Sequence, residues 1–153
     1  MRNFKMIVEY DGTAYCGWQR QENGITIQQV LEDAIQLITG EKVAVIGSGR
    51  TDAGVHALNQ VAHFKSNSHL SVNSIYRGMN SVLPPDIVVK EMEEVAGEFH
   101  AQHDVKSKVY VYKICNQRLR PVLGRKYFWH IRFPRPTSTK VPIIFRTMYF
   151  KKP

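Results

Sequence analysis

The sequence predicts an α+β unit of order β-α-β-β-α-β, an antiparallel sheet with both helices on one face. Three features carry this expectation. Two segments space their apolar residues three and four apart, so each buries one helical stripe. Four shorter runs are rich in β-branched and aromatic residues and are bounded by turns. The segments follow one another as strand, helix, strand, strand, helix, strand, with no internal repeat and no low-complexity stretch.

Taken in order, Phe4-Lys5-Met6-Ile7-Val8-Glu9-Tyr10 alternates as a strand does and ends at the turn Asp11-Gly12. Residues 13–24 are too rich in glycine and polar side chains for a regular element, and Trp18 is expected to pack down and anchor them. Thr26 opens a helix. Thr26-x-x-Gln29 has the form of a capping box, Ile27, Val30, Leu31, Ala34, Ile35 and Ile38 share a face, and Gly40 ends it. Strands follow at Lys42–Ile46 and Gln60–Lys65, on either side of a glycine-rich loop. A second helix covers Val72–Val82, with Val72, Ile75, Tyr76 and Met79 on one side, and Pro84-Pro85 stops it. Ile87–Met92 completes the unit, and Val105–Ile114 reads as a further strand. This is the split βαβ pattern of ferredoxin-like folds, whose open sheet face is available to RNA.

At 153 residues the chain fits one domain with a real core, and 43% hydrophobic content is ordinary for a soluble protein. No apolar stretch reaches membrane-spanning length, and the start Met1-Arg2-Asn3-Phe4-Lys5 has no signal-peptide core. Only Cys16 and Cys115 are present, so a disulfide framework is excluded and a reduced cytoplasm is the expected setting. The six histidines show no ligand spacing beside those cysteines, so no zinc or other metal is expected. The net charge of +8 is unevenly spread. Residues 1–98 hold eight basic and twelve acidic side chains; residues 99–153 hold thirteen basic and one acidic, Asp104. That asymmetry favours a polyanionic partner, of which nucleic acid is the commonest.

Chemistry concentrates in Gly47-Ser48-Gly49-Arg50-Thr51-Asp52-Ala53-Gly54-Val55-His56-Ala57. Its glycines permit tight backbone and close approach of a ligand. Arg50, two residues before Asp52, suggests an ion pair held at a site. By pattern alone a solvated glycine-rich turn fits as well. The literal string separates the two.

Gly49-Arg50-Thr51-Asp52-Ala53-Gly54-Val55-His56-Ala57 resembles the signature loop of the tRNA pseudouridine synthase A family. Tyr10-Asp11-Gly12-Thr13-Ala14-Tyr15-Cys16-Gly17-Trp18-Gln19-Arg20-Gln21 resembles that family's opening block, and Thr26 to Glu32 the start of its first helix. Asn80 to Ile87, then Phe99-His100-Ala101 through Lys108-Val109-Tyr110-Val111-Tyr112, resemble later blocks in the same order. The resemblance implies an isomerase that converts uridine to pseudouridine in the anticodon stem-loop of tRNA, at nucleotides 38–40, without a cofactor. It implies that Asp52 is the nucleophile and that Tyr110 stacks on the flipped base; Tyr112, two residues on, points the same way from the strand and is expected to support it. Arg50 suits the vacated space in the helix, where it would touch phosphates. His56 has no catalytic role in the family and reads as a structural hydrogen-bond partner. Lys106, Lys108, Arg118, Arg120, Arg125 and Lys126 read as phosphate contacts. Where family members often carry Ala-Arg after Phe-His, this chain has Ala101-Gln102, which removes one basic contact. The family is homodimeric, so a second copy is an expected partner beside tRNA, and no membrane is.

From about Phe133 the character changes. Pro134, Pro136 and Pro142 are too close for sheet or helix, and residues 134–153 contain no acid. The expected organisation is a ferredoxin-like domain at residues 1–131 and a basic, Pro-rich, poorly ordered tail at 132–153. The family continues here with a second, related half that supplies the other wall of the cleft. The chain therefore reads as truncated or frameshifted after about residue 133, and is expected to fold poorly alone with little or no activity. An inactive RNA-binding remnant is the alternative function.

Overall fold

The computed structural model describes residues 1–132, and what the sequence predicts for the tail beyond them lies outside the described residues. The elements are β1 (Arg2–Tyr10), α1 (Ile27–Thr39), β2 (Ile46–Gly47), β3 (Ala57–Ser66), α2 (Val72–Val82) and β4 (Ile87–Val95), followed by β5 (Ile114–Asn116) and β6 (Trp129–Ile131). The first four strands form one antiparallel sheet in the order β2-β3-β1-β4. It is the α+β sheet with two helices that the sequence predicts.

The alternation of β1 sets the layers. Phe4, Met6, Val8 and Tyr10 all point to one side and are buried. Phe4 pairs with Phe64 across the ladder, their rings stacked at 5.1 Å, and Met6 sits between Ala62 and Met92. On this face lie Ile27, Leu31 and Ile35 of α1 with Ile75 and Met79 of α2, each helix burying the stripe its spacing dictates. Full burial of each large apolar side chain is worth roughly 1.5–3 kcal/mol. The Thr26 hydroxyl accepts the Gln29 amide at 3.3 Å and Gly40 closes α1, as the sequence predicts. Ser71 caps α2 in the same way through Ser74 N–H at 3.1 Å. The Asn80 amide group bonds both polar groups of Val89 at 2.9 Å, tying α2 to β4 next to the register shift at Ile7/Val8.

Two predicted strands differ. Lys42–Ile46 contributes only its last residue to the ladder, because the Val45 amide donates to the Glu32 carboxylate instead of a neighbouring strand. Among the described residues, Val105–Ile114 is a strand only at its last residue. Apart from a single bridge at Val109, residues 105–113 form no ladder there, and pairing begins at β5, which runs parallel to β6 in a separate two-stranded sheet. The open face of the main sheet is also partly covered. Asn3 Nδ2 donates to the carbonyls of Ala96 and Phe99 at 3.0 Å, and Ala101 N donates to Nδ1 of buried His63 at 3.1 Å, so residues 96–104 fold back over it. Among the described residues no helix is long and apolar enough to cross a membrane.

Candidate active site

The Asp52 loop runs from β2 into β3 and rests on the segment that follows β1. Trp18, 2% exposed, anchors that segment against Tyr10, as its position in the sequence predicts. Trp18 N donates to Thr51 O at 2.9 Å, and Gly54 N to Tyr15 O at 3.3 Å. The buried Tyr10 hydroxyl meets the Thr51 hydroxyl at 2.8 Å, and burial pushes its pKa up to about 12, so it stays neutral. Val55 N closes a turn onto Asp52 O at 3.1 Å. The residues flanking Asp52 are thus pinned, while Asp52 itself is exposed. Its opening block and its signature loop are two halves of one structure.

That fit depends on missing side chains. A Cβ on Gly17, whose φ is +89°, would come within 2.6 Å of the Thr51 carbonyl. A Cβ on Gly12 would collide with the Val55 carbonyl oxygen. Gly12→Ala is therefore expected to push the loop away and cost about 1–3 kcal/mol, as overpacking does. A urea melt measures it, and an unchanged midpoint would show that the loop does not rest on Gly12.

Asp11 closes the far end of the loop. Its carboxylate accepts from Thr13 N at 2.9 Å, from the Thr13 hydroxyl, and from the Tyr127 hydroxyl at 2.7 Å, and lies 2.9 Å from His56 Nδ1. Partial burial works to raise its pKa, but the bonds from Thr13 and Tyr127 and the nearness of His56 outweigh it and bring it to about 2. The folded value lies below the ordinary carboxylate value of about 3.9. The resulting stabilisation is complete above that value and is lost as pH falls through about 2. Asp11→Asn is expected to be less stable than the parent chain at neutral pH, with the gap closing in acid. Parallel thermal melts across that range check it; a gap independent of pH would contradict it.

Arg50 is exposed and lines a cleft of about 260 Å³ with Gly47, Gly49, Gln28, His100, Gln102 and His103. Gln102, the departure from the family pattern, therefore shares a cleft with the signature loop. Tyr110 is 48% exposed and Tyr112 56%, so neither is a core side chain. Lys106, Lys108, Arg118 and Arg120 are exposed. Arg125 and Lys126 begin a short 3-10 turn, Arg125–Tyr127, that Tyr127 holds beside the loop's exit. Tyr10, Asp11 and Tyr127 escaped the sequence reading as parts of the site, since each joins it through folding rather than by a local pattern. Cys16 and Cys115 are free thiols, and no group of three potential metal-ligating side chains occurs among the described residues.

The sequence pattern of tRNA pseudouridine synthase matches residues 6–104. A tRNA pseudouridine synthase A from Thermoanaerobacter sp. (strain X514) is 49% identical over 134 residues, 88% of this chain and 55% of that protein. One from Geotalea daltonii is 52% identical over 132 residues, 86% of this chain and 54% of its own length. A tRNA pseudouridine synthase A 2 from Clostridium perfringens is 48% identical over 132 residues, with the same shares. The chain spans about half the length of the curated relatives it matches. The match over residues 6–104, which takes in both the Asp52 loop and the segment that cradles it, together with relatives about half identical over most of its length, places the chain in the tRNA pseudouridine synthase family.

Proposed function

We propose that the chain serves the isomerisation of uridine to pseudouridine in the anticodon stem-loop of tRNA, at nucleotides 38–40, with Asp52 as nucleophile. The observation that carries this reading is exposed Asp52 on a turn whose flanks bond to the 10–18 segment, itself anchored by buried Tyr10, Tyr15 and Trp18. A fixed backbone holding an accessible anion suits attack on a nucleotide, since positioning supplies much of an enzyme's rate. The reaction breaks the N1–C1′ bond, turns the base, and forms C5–C1′; the C5 proton leaves and N1 ends protonated. Electrons balance without redox chemistry, so no cofactor is required. The carboxylate has three possible points of action, ribose C1′, base C6 or a ribose proton, and each needs the uridine out of its stack. Half-exposed Tyr110 is suited to stack on that base, worth roughly 1–3 kcal/mol. Arg50 fills the vacated space, and Lys106, Lys108, Arg118, Arg120, Arg125 and Lys126 contact phosphates.

The strand order β2-β3-β1-β4 with two helices supports a ferredoxin-like unit. Exposed Leu119, Val122 and Leu123 favour a covering partner, read here as a second copy. Two free thiols and a tRNA substrate fit a cytoplasmic setting. Tritium release from tRNA carrying C5-labelled uridine tests the reading, because only C5 bond formation frees that label. Release supports an isomerase; tRNA binding without release would favour the RNA-binding module instead.

A further inference from the structure

We propose that Asp11, His56 and Tyr127 form a positioning clasp, which transmits RNA contact at the basic turn Arg125–Tyr127 to the loop that carries Asp52. The input side rests on the RNA-binding reading above; the clasp itself rests on geometry. Asp11 is its hub. Oδ1 serves Thr13 and His56, and Oδ2 accepts the Tyr127 hydroxyl, a bond that spans 116 residues of sequence. The Tyr127 ring also lies against the His56 imidazole, with centroids 5.0 Å apart. On its inner side His56 Nδ1 is 3.2 Å from Gly12 N–H. Gly12 in turn abuts the Val55 carbonyl, and Val55 N bonds back to Asp52. A continuous path of contacts therefore runs Arg125–Tyr127, Asp11, His56, Gly12, Val55, Asp52.

The path has two settings at its centre. His56 Nδ1 either accepts from Gly12 N–H with a lone pair or donates a proton to Asp11. One atom cannot do both at once. Tyr127 contacts both Asp11 and the imidazole, so a shift of its turn changes which bond is favoured. Among the described residues, the other ionisable groups facing the clasp are Glu9, Tyr10 and Asp86, which line the adjoining cleft of about 390 Å³, and Tyr15, whose hydroxyl is bonded to Asp86. Glu9 is paired with Lys90 at 3.2 Å, and Asp86 accepts the Tyr15 hydroxyl at 2.6 Å. Arg125 and Lys126 supply the positive charge on the turn itself. Phosphate binding there would pull directly on Tyr127.

Amide hydrogen exchange in the 153-residue chain tests the clasp, free and with an anticodon stem-loop RNA. Tyr127→Phe removes only the hydroxyl. Exchange at Gly54 and Val55 is expected to speed up about fivefold in the free chain, the worth of one hydrogen bond. Exchange in α1 and α2 should stay as in the parent. At saturating RNA, the Gly54 and Val55 amides should slow in the parent chain but not in Tyr127→Phe. Unchanged exchange at Gly54 and Val55 in Tyr127→Phe overturns the clasp. So does an equal acceleration across both helices, which would mark a purely structural bond. Should the parent chain bind no RNA, the proposed function falls, and the free-chain comparison still decides the clasp.

Discussion

Asp52→Asn is expected to lower uridine isomerisation by at least about a thousandfold, as loss of a nucleophile does. The informative setting is a chimera in which residues 1–132 are followed by the remaining half of the Thermoanaerobacter relative, with that relative as positive control. Asparagine keeps the shape of the side chain and loses the anion that attacks. Asp52 is exposed, and bonds from Thr51 and Gly54 to the 10–18 segment hold its loop on either side of it. The fold and the affinity for tRNA should therefore change little, and the loss should appear in kcat. Retained turnover in the variant would remove Asp52 from the chemistry.

The second large effect is on binding. Six basic side chains, Lys106, Lys108, Arg118, Arg120, Arg125 and Lys126, stand exposed on the segment where the net charge of the sequence gathers. If each neutralises one phosphate, affinity for tRNA falls about a thousandfold between about 50 and 200 mM salt through counterion release. Fluorescence titration against labelled tRNA at several salt concentrations gives the slope directly. Alanine at Arg125 and Lys126 together should lower that slope by about two. A flat response to salt would show that these charges do not face the RNA.

Local signals carried much of the fold. The stripes at Ile27, Leu31 and Ile35 and at Ile75 and Met79, the Thr26 cap and the Gly40 stop all act within one or two turns of chain, and each lies where its pattern places it. The Val105–Ile114 segment shows the limit of that logic. Alternation of Val109, Val111 and the tyrosines resembles a strand, but a strand needs a continuous ladder, and among the described residues only a bridge at Val109 and the β5 ladder from Ile114 form there. Lys42–Val45 failed for a related reason, since a distant carboxylate, Glu32, claims the Val45 amide. At the site, the turn at Gly12 and the irregular stretch that holds Gly17 were legible, yet the purpose of the two glycines was not. Only the folded chain shows that they make room for Val55 and Thr51. Tyr127 was invisible for the same reason: 116 residues separate it from Asp11.

The most direct test of the Asp52 assignment is nucleotide-resolution mapping of pseudouridine in unmodified tRNA treated with the chimera and its Asp52→Asn variant. Pseudouridine confined to the anticodon stem-loop with the parent chimera, and absent with the variant, is the expected result. Equal pseudouridine from both proteins, or modification spread outside the anticodon stem-loop, would contradict it.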